Sequence, residues 1–369
     1  MNLVVLLICY YMTMMTQMVT SERNSTQMWN DFKLEYGKVY KSNRDEMERR
    51  KIFERNLAFI NHHNALVKSA LRDNATDDSS FTIGVNHFAD LSDSEYKRMR
   101  GTEMPKEGHK SCAKQKLKLY PRTYGDPLRI KSKNFILRIL DDDKIKVPRQ
   151  LDWSRVPGRV SRVKNQGSLC GSCWAFAVTG VLEGQQQVKL RNRHQETNVI
   201  DLSEQNLIDC DSSNDGCNGG DPWDAFIFLA RQGGIMSENS YPYRNRQRRL
   251  CHFNRDEIVM KVKGPARLPQ DEEVLKHIVA KYGPVAASID AHSKKFKFYQ
   301  GGVYKRSNCN GTPNHAILVV GYGTSMRHGD YWIIKNSHGT DWGENGYMRL
   351  ARNQGNMCGI ASDASIAIV

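Results

Sequence analysis

Cys170-Gly171-Ser172-Cys173-Trp174 is the stretch whose residue types and spacing invite chemistry first. A C-x-x-C pair can be a redox dithiol, half of a zinc site, or a structural cysteine beside a reactive one. Zinc would need a second pair at ligand spacing. Cys210 and Cys217, with six residues between them, match no common ligand pattern. A redox dithiol of the thioredoxin kind would need a βαβ context, which is absent before residue 170. The third reading is favoured, and it has a mechanism. Residues 173 to about 190 read as a helix with Trp174, Val178, Val181 and Leu182 on its buried side. A cysteine in the first turn of a helix meets the positive end of the macrodipole and free backbone N–H groups, both of which favour thiolate. Such a nucleophile needs a histidine to hold and later donate a proton, and that histidine needs a partner on its far nitrogen.

A candidate pair lies downstream. Asn314 to Gly323 reads as a strand entering a turn, and Gly329 to Ser337 as its return. With the turn centred between Ser325 and Met326, His315 stands opposite Asn336, within reach of one hydrogen bond. A lone histidine beside a strand is more often structural. Its asparagine partner and the cysteine context reverse that expectation.

The elements that must position these groups follow from periodicity. Residues 27 to 70 read as helical: Trp29, Phe32 and Tyr36 share one face, and Ile52, Phe53, Asn56, Ile60 and Asn64 recur at three- and four-residue steps, a stripe expected to pack. Phe81 to Phe88 reads as a short strand. Residues 101 to 146 are basic, poorly periodic and interrupted by Asp141-Asp142-Asp143, which predicts an exposed, cleavable connection. From Val147 the texture changes, and Cys, Gly, Trp and Tyr become frequent. Helices are expected from Ser203 to Ile208 and Pro222 to Gln232, then strands at Val285–Ile289, Ala316–Tyr322, Tyr331–Lys335 and Tyr347–Ala351. Helices first and strands later imply an α+β arrangement.

Composition narrows the class. With 369 residues, 39% hydrophobic and 25% charged, the chain can build a core. The net charge is +14, and basic residues are crowded between Lys106 and Lys146, without aromatic interleaving. It reads as a solvated segment, and nucleic-acid binding is not expected. Leu3 to Tyr11 has the length of a signal-peptide core within an expected leader over residues 1–20, with cleavage near Val19 to Glu22, and no other stretch is apolar enough to span a bilayer. Sequons at Asn24, Asn74 and Asn310 agree with a secretory route and an oxidising compartment.

These motifs together resemble the papain family of cysteine proteases, across nearly all of residues 147 to 369. Gln166-Gly167, Cys170 to Phe176, Gly216-Cys217-Asn218-Gly219-Gly220 and Asn336 to Tyr347 are similar to its active-site, glycine-rich wall and asparagine motifs. His315 lies 142 residues after Cys173, inside the family's window of about 130–150, and Asn336 falls somewhat beyond it. Arg49, Ile52, Phe53, Asn56, Ile60 and Asn64, followed by Gly84-x-Asn86-x-Phe88-x-Asp90, resemble the inhibitory propeptide of cathepsin L relatives, with Asp45 where that pattern has Glu.

The resemblance implies a two-lobed α+β endopeptidase, a helical lobe beside a sheet or barrel lobe, preceded by a small helical prodomain over residues 21–100 and a linker over 101–146. It implies Cys173 as nucleophile, His315 as acid and base, Asn336 as its orienter and Gln166 as oxyanion donor. It pairs Cys170 with Cys217, Cys210 with Cys251 and Cys309 with Cys358, leaving Cys112 unpaired. Gly171, Gly219, Gly220 and Trp342 should line the substrate cleft. Asp221, Pro222, Ser288, Ala316 and Asp363 should line the pocket for P2, the second residue before the scissile bond. Two carboxylates there predict acceptance of basic P2 residues. Expected partners are protein or peptide substrates, the chain's own propeptide and cystatin-type inhibitors. A monomer is expected, in the lysosome or outside the cell, with no cofactor and no metal. Seven residues rather than six separate Gln166 from Cys173, and His338 stands where the family has a tryptophan shielding the histidine–asparagine bond. The loop is expected to bulge, and the bond at His338 to be wetter. The competing functions are a catalytically silent homologue acting as a binding protein, a propeptide-type inhibitor and a thiol oxidoreductase.

Overall fold

The computed structural model describes residues 25–72, 80–100, 127–142, 146–191, 199–306, 309 and 312–369. The leader, Cys112 and the asparagines of all three sequons lie outside these residues. The helical stretch expected over 27–70 is two helices, 25–35 and Asn43–Arg72, broken where Gly37 turns at φ 57°. Trp29 and Phe32 of the first pack on Phe53 of the second, with ring centroids 5.3 and 4.8 Å apart. The polar members of the stripe do more than pack. Asn56 donates to the carbonyls of Ala89 and Leu91, and Asn64 exchanges two hydrogen bonds with Ile83. Arg49 grips Glu95 through two bonds of 2.8 and 2.9 Å, the bidentate geometry that fixes direction as well as distance. The long helix is thereby stapled to the chain that follows it.

That chain enters a sheet. In order along the sequence the strands are β1 (Phe81–Ile83), β2 (Leu151–Asp152), β3 (Ile235–Met236), β4 (Ile258–Met260), β5 (Gly264–Arg267), β6 (Val285–Ile289), β7 (Tyr299–Tyr304), β8 (His315–Ser325), β9 (Gly329–Lys335), β10 (Tyr347–Ala351) and β11 (Ala364–Ile368). The large sheet runs β1-β7-β10-β9-β8-β6-β11-β5, with β2 beside β8 and β3–β4 apart. β1 is shorter than the run expected from Phe81 to Phe88, and it closes one edge by antiparallel pairing with β7, a strand-addition mode of recognition.

Against the sheet lies the helix Cys173–Arg191. A Cβ on Gly180 would stand 2.8 Å from Leu318 of β8, so glycine permits this close crossing. The helices Glu204–Cys210, capped by Ser203, and Pro222–Gln232, capped by Asp221, complete the helical side. Buried Lys164 ties the two sides together, bonding Glu183 at 2.9 Å and Glu204 at 2.7 Å, while Lys335 of β9 donates to Ser161 at 2.8 Å.

One expectation is corrected here. The stretch within 101–146 read as poorly periodic contains a helix, Pro127–Leu140. Ile136 is buried, Phe135 meets Tyr282 edge-on at 5.4 Å, and Lys281 caps the helix end through the carbonyls of Leu140 and Asp142. Ser132 accepts from the backbone N–H of Arg267, satisfying part of the exposed edge of β5. The apolar face is short, so its helical period is hidden among lysines and arginines.

Candidate active site

Cys173 begins its helix, as the sequence predicts, and is the free cysteine among the described residues. Cys170–Cys217, Cys210–Cys251 and Cys309–Cys358 are disulfides. Cys170 is thereby removed from any dithiol pair with Cys173, which sets aside the oxidoreductase reading. The sulfur accepts the N–H of Ala316 at 3.4 Å and faces the carbonyl of Arg100 at 3.8 Å.

His315 opens β8 on the neighbouring wall. Its Nε2 lies 2.8 Å from Oδ1 of Asn336, and its Nδ1 is buried with no hydrogen-bond partner among the described residues. Asn336 is held in turn, its N–H donating to Gly346 and its Oδ1 accepting from Ser337 N–H. The expected cross-strand register is corrected. The turn centres on Arg327, pairing Ser325 with Gly329, and a bulge at Val320 shifts the ladder to Leu318 opposite Lys335. His315 and Asn336 therefore lie beyond the last rung and meet through their side chains.

Gln166 completes the group. Its Nε2 donates to Met99 O at 2.9 Å and Cys170 O at 3.1 Å, while Ser337 Oγ donates to its Oε1 at 2.6 Å. Ser337 thus sets which end of the amide faces the Met99 carbonyl. Tyr243 adds a hydroxyl bond to Gln166 O, and its ring stands edge-on to Phe176. The extra residue between Gln166 and Cys173 is absorbed in the loop, where Leu169 projects 81% exposed into solvent.

Burial governs the charges. It pushes the Cys173 thiol up to about 11 against the opposing N–H groups of Ala316 and Trp174. It pulls His315 down to about 4 against the Asn336 bond. Both groups are neutral at pH 7 in this covered state.

The comparisons with known proteins decide the family. Residues 147–368 match the model for papain family cysteine proteases, and residues 29–96 match the cathepsin propeptide inhibitor domain. The chain is a papain-family cysteine protease. It is 39% identical to a cathepsin L-like protein of Caenorhabditis elegans, over 94% of this chain and 92% of that one. It is 38% identical to cathepsin L of Sarcophaga peregrina, over 96% of both chains. Among solved structures it is similar to digestive procathepsin L 3 of Tenebrio molitor larval midgut, with TM-score 0.74 and 36% identity over 94% of this chain and 99% of that one. The protein is a cathepsin L-like cysteine protease carrying its propeptide, of mixed helix and sheet. Among the described residues no helix is long and apolar enough to cross a membrane.

The propeptide supplies what covers the cysteine protease's site. The Ser92-capped helix Asp93–Met99 leads the chain across it, so that Met99 offers its carbonyl to Gln166 and Arg100 faces Cys173. The Arg100 guanidinium stacks on Tyr96 at 5.0 Å and reaches the carbonyl of Ala291. Asn86 donates to Lys297 O, and Lys297 returns a bond to Leu91 O. Met99, Arg100, Ser337 and Tyr243 carried no role in the sequence reading; only the fold brings them to the site.

His338 is 0% exposed and stacks on His315 at 4.9 Å. Phe88 meets it edge-on at 5.1 Å, Trp342 at 5.7 Å, and Tyr96 Oη lies 3.2 Å from its Nε2. The expectation of a wetter His315–Asn336 bond is corrected for this form: propeptide rings fill the area an imidazole leaves uncovered. Burial also drives the His338 pKa well below its ordinary value, helped by His315, His87 and Arg100.

Among the expected substrate residues, Gly171 donates to Cys217 O. Gly220 lies so close to Trp174 that a Cβ would come within 2.6 Å, and Gly219 takes φ 127°. The wall thus needs glycine at both positions. Ser288 stands opposite Ala316 in the β6–β8 ladder, and its N–H donates to Asp363 O at 3.0 Å. Asp221 and Pro222 open the helix across from them. Trp342 lies beneath His338 and donates to Phe296 O. One neighbour was not foreseen: Arg267 of β5 pairs with Asp363 at 3.1 Å and reaches Asp221 at 3.7 Å.

Proposed function

We propose that Cys173, once its propeptide has left, passes its thiol proton to His315 Nδ1 and attacks peptide carbonyls as a thiolate, with His315, Asn336 and Gln166 in the roles the family resemblance assigns. The carbon–sulfur bond forms as the carbonyl π electrons move to oxygen. Gln166 Nε2–H and the Cys173 backbone N–H stabilise that oxygen. Collapse of the adduct breaks the C–N bond, and His315 gives its proton to the departing amine. Water activated by His315 then cleaves the thioester, returning acid product and free thiol. Asn336 holds the imidazole by Nε2, leaving Nδ1 for the sulfur.

The observation that carries this reading is the 2.8 Å His315–Asn336 bond beside a free helix-start cysteine, with the Gln166 amide already on a peptide carbonyl, that of Met99. The same arrangement speaks against a silent homologue, since every group needed is present. Residues 21–100 act as the intramolecular inhibitor, and cleavage between about Asp141 and Val147 releases a monomeric enzyme over 147–369. The enzyme works in the lysosome or outside the cell, open to cystatin-type inhibitors. Three disulfides support an oxidising destination.

Acid treatment of the full chain, followed by an epoxysuccinyl thiol inhibitor and mapping of the modified residue, tests the proposal. Label on Cys173 with loss of peptidase activity is expected, and no label on Cys173→Ala. Full activity in Cys173→Ala would sink it.

A further inference from the structure

Two carboxylates in the P2 pocket argue for basic P2 residues only if they are free to receive them. Arg267 intervenes. Its position follows from the sheet: β5 is the edge strand beyond β11, and Arg267 pairs with Ser365, two residues after Asp363. From there its guanidinium lies over the ring of Trp223 at 5.0 Å, with one nitrogen 3.1 Å from Asp363 and 3.7 Å from Asp221. The residues form a continuous row from the nucleophile: Cys173 to Ala316, Ala316 to Ser288, Ser288 to Asp363, Asp363 to Arg267.

We propose that Arg267 is the residue that sets P2 specificity here, by occupying the Asp221–Asp363 pair and withholding it from basic P2 side chains. This rests on the proposed peptidase reading and on the P2 pocket that the family resemblance implies, and it reverses the preference that the carboxylates alone predict. The physics is direct. A P2 arginine would have to displace Arg267 from Asp363 or sit beside it as a like charge. An apolar P2 side chain meets neither cost and can lie along Trp223 and the guanidinium stem. Trp223 holds the guanidinium by its ring face, which favours arginine over lysine at 267. Arg267 is 47% exposed in side chain, so its charge is partly screened and the effect is one of preference.

The test uses acid-processed enzyme from the full chain, as wild type, Arg267→Ala, Arg267→Gln, Asp363→Ala and the double variant Arg267→Ala/Asp363→Ala. Dipeptidyl substrates with Arg at P1 and either Phe or Arg at P2 are compared, with rates normalised to titrated active sites. Wild type should favour Phe. Arg267→Ala and Arg267→Gln should each raise the Arg-to-Phe ratio of kcat/KM by about 10–100-fold, the worth of one charge-assisted hydrogen bond. The double variant should lose most of that gain, and added salt should shrink it. A wild-type preference for Arg at P2 overturns the proposal. So does an unchanged ratio in both Arg267 variants while Asp363→Ala shifts it, an outcome that leaves the pocket assignment standing. If neither Arg267 nor Asp363 variants move the ratio, the pocket assignment itself falls.

Discussion

His338 should make release of the propeptide steeper in acid. Three histidines are neutral while the propeptide is docked: half-buried His87 and buried His315, both near 4, and buried His338, well below its ordinary value. The groups facing His338 are His315, the Tyr96 hydroxyl, Arg100 and His87, and none of them is an acid that would hold a proton there. Once Phe88 and Tyr96 withdraw, an exposed imidazole titrates near 6.5. The docked state therefore binds fewer protons than the released state. Docking is at full strength above about pH 6.5 and weakens as pH falls, by about 1.36 kcal/mol per unit for each histidine that gains a proton on release. From the plateau well above pH 6.5 down to pH 4.5 one histidine accounts for about 2.7 kcal/mol, roughly 100-fold in the docking equilibrium. His338→Trp and His338→Gln should each remove that share. The assay is hydrogen exchange in the full chain carrying Cys173→Ala. It follows the amides of Gly84 and Val303, which bond across the interface to Phe298 and Ser80, after correction for intrinsic exchange. Both variants should lose protection less steeply below pH 6.5. The same steepness as the parent in both would refute the reasoning.

Gln166→Ala should lower kcat by about 10²–10³-fold in the processed enzyme with little change in KM, the effect of losing one oxyanion donor; unchanged turnover would mean the seven-residue spacing has displaced it. Lys164→Met leaves Glu183 and Glu204 buried without their cation and should destabilise the protease by about 3–5 kcal/mol, read as a lower denaturant midpoint. Burial already raises Glu204 to about 7 in spite of Lys164, so part of that loss should be recovered at pH 5, where protonation removes the uncompensated charge.

How much of this was legible before folding depends on how far apart the cooperating residues lie. Cys173 and its helix are local, and residue types over a few turns were enough to identify them. His315 and Asn336 were recognisable as partners, but their register was not. Met326-Arg327-His328 offers no turn signal sharper than Gly329, and a bulge at Val320 leaves no mark in an apolar run. The Pro127–Leu140 helix was hidden for a different reason: its pattern is confined to one face of a basic stretch, and what stabilises it is the distant edge of β5. Arg267 is the extreme case. Nothing in the residues around it distinguishes it from other surface arginines, and its role comes from antiparallel pairing with β11, which sets it beside Asp363. A motif names the groups that make and break bonds, because chemistry constrains their identity. The groups that decide which peptide reaches them, and when, are constrained only by proximity. Met99 and Arg100 over Cys173, Phe88 and Tyr96 over His338, and Arg267 over the carboxylates are all contacts between segments distant in the chain. They are where two proteases with the same motifs can differ in substrate and in the pH at which they wake.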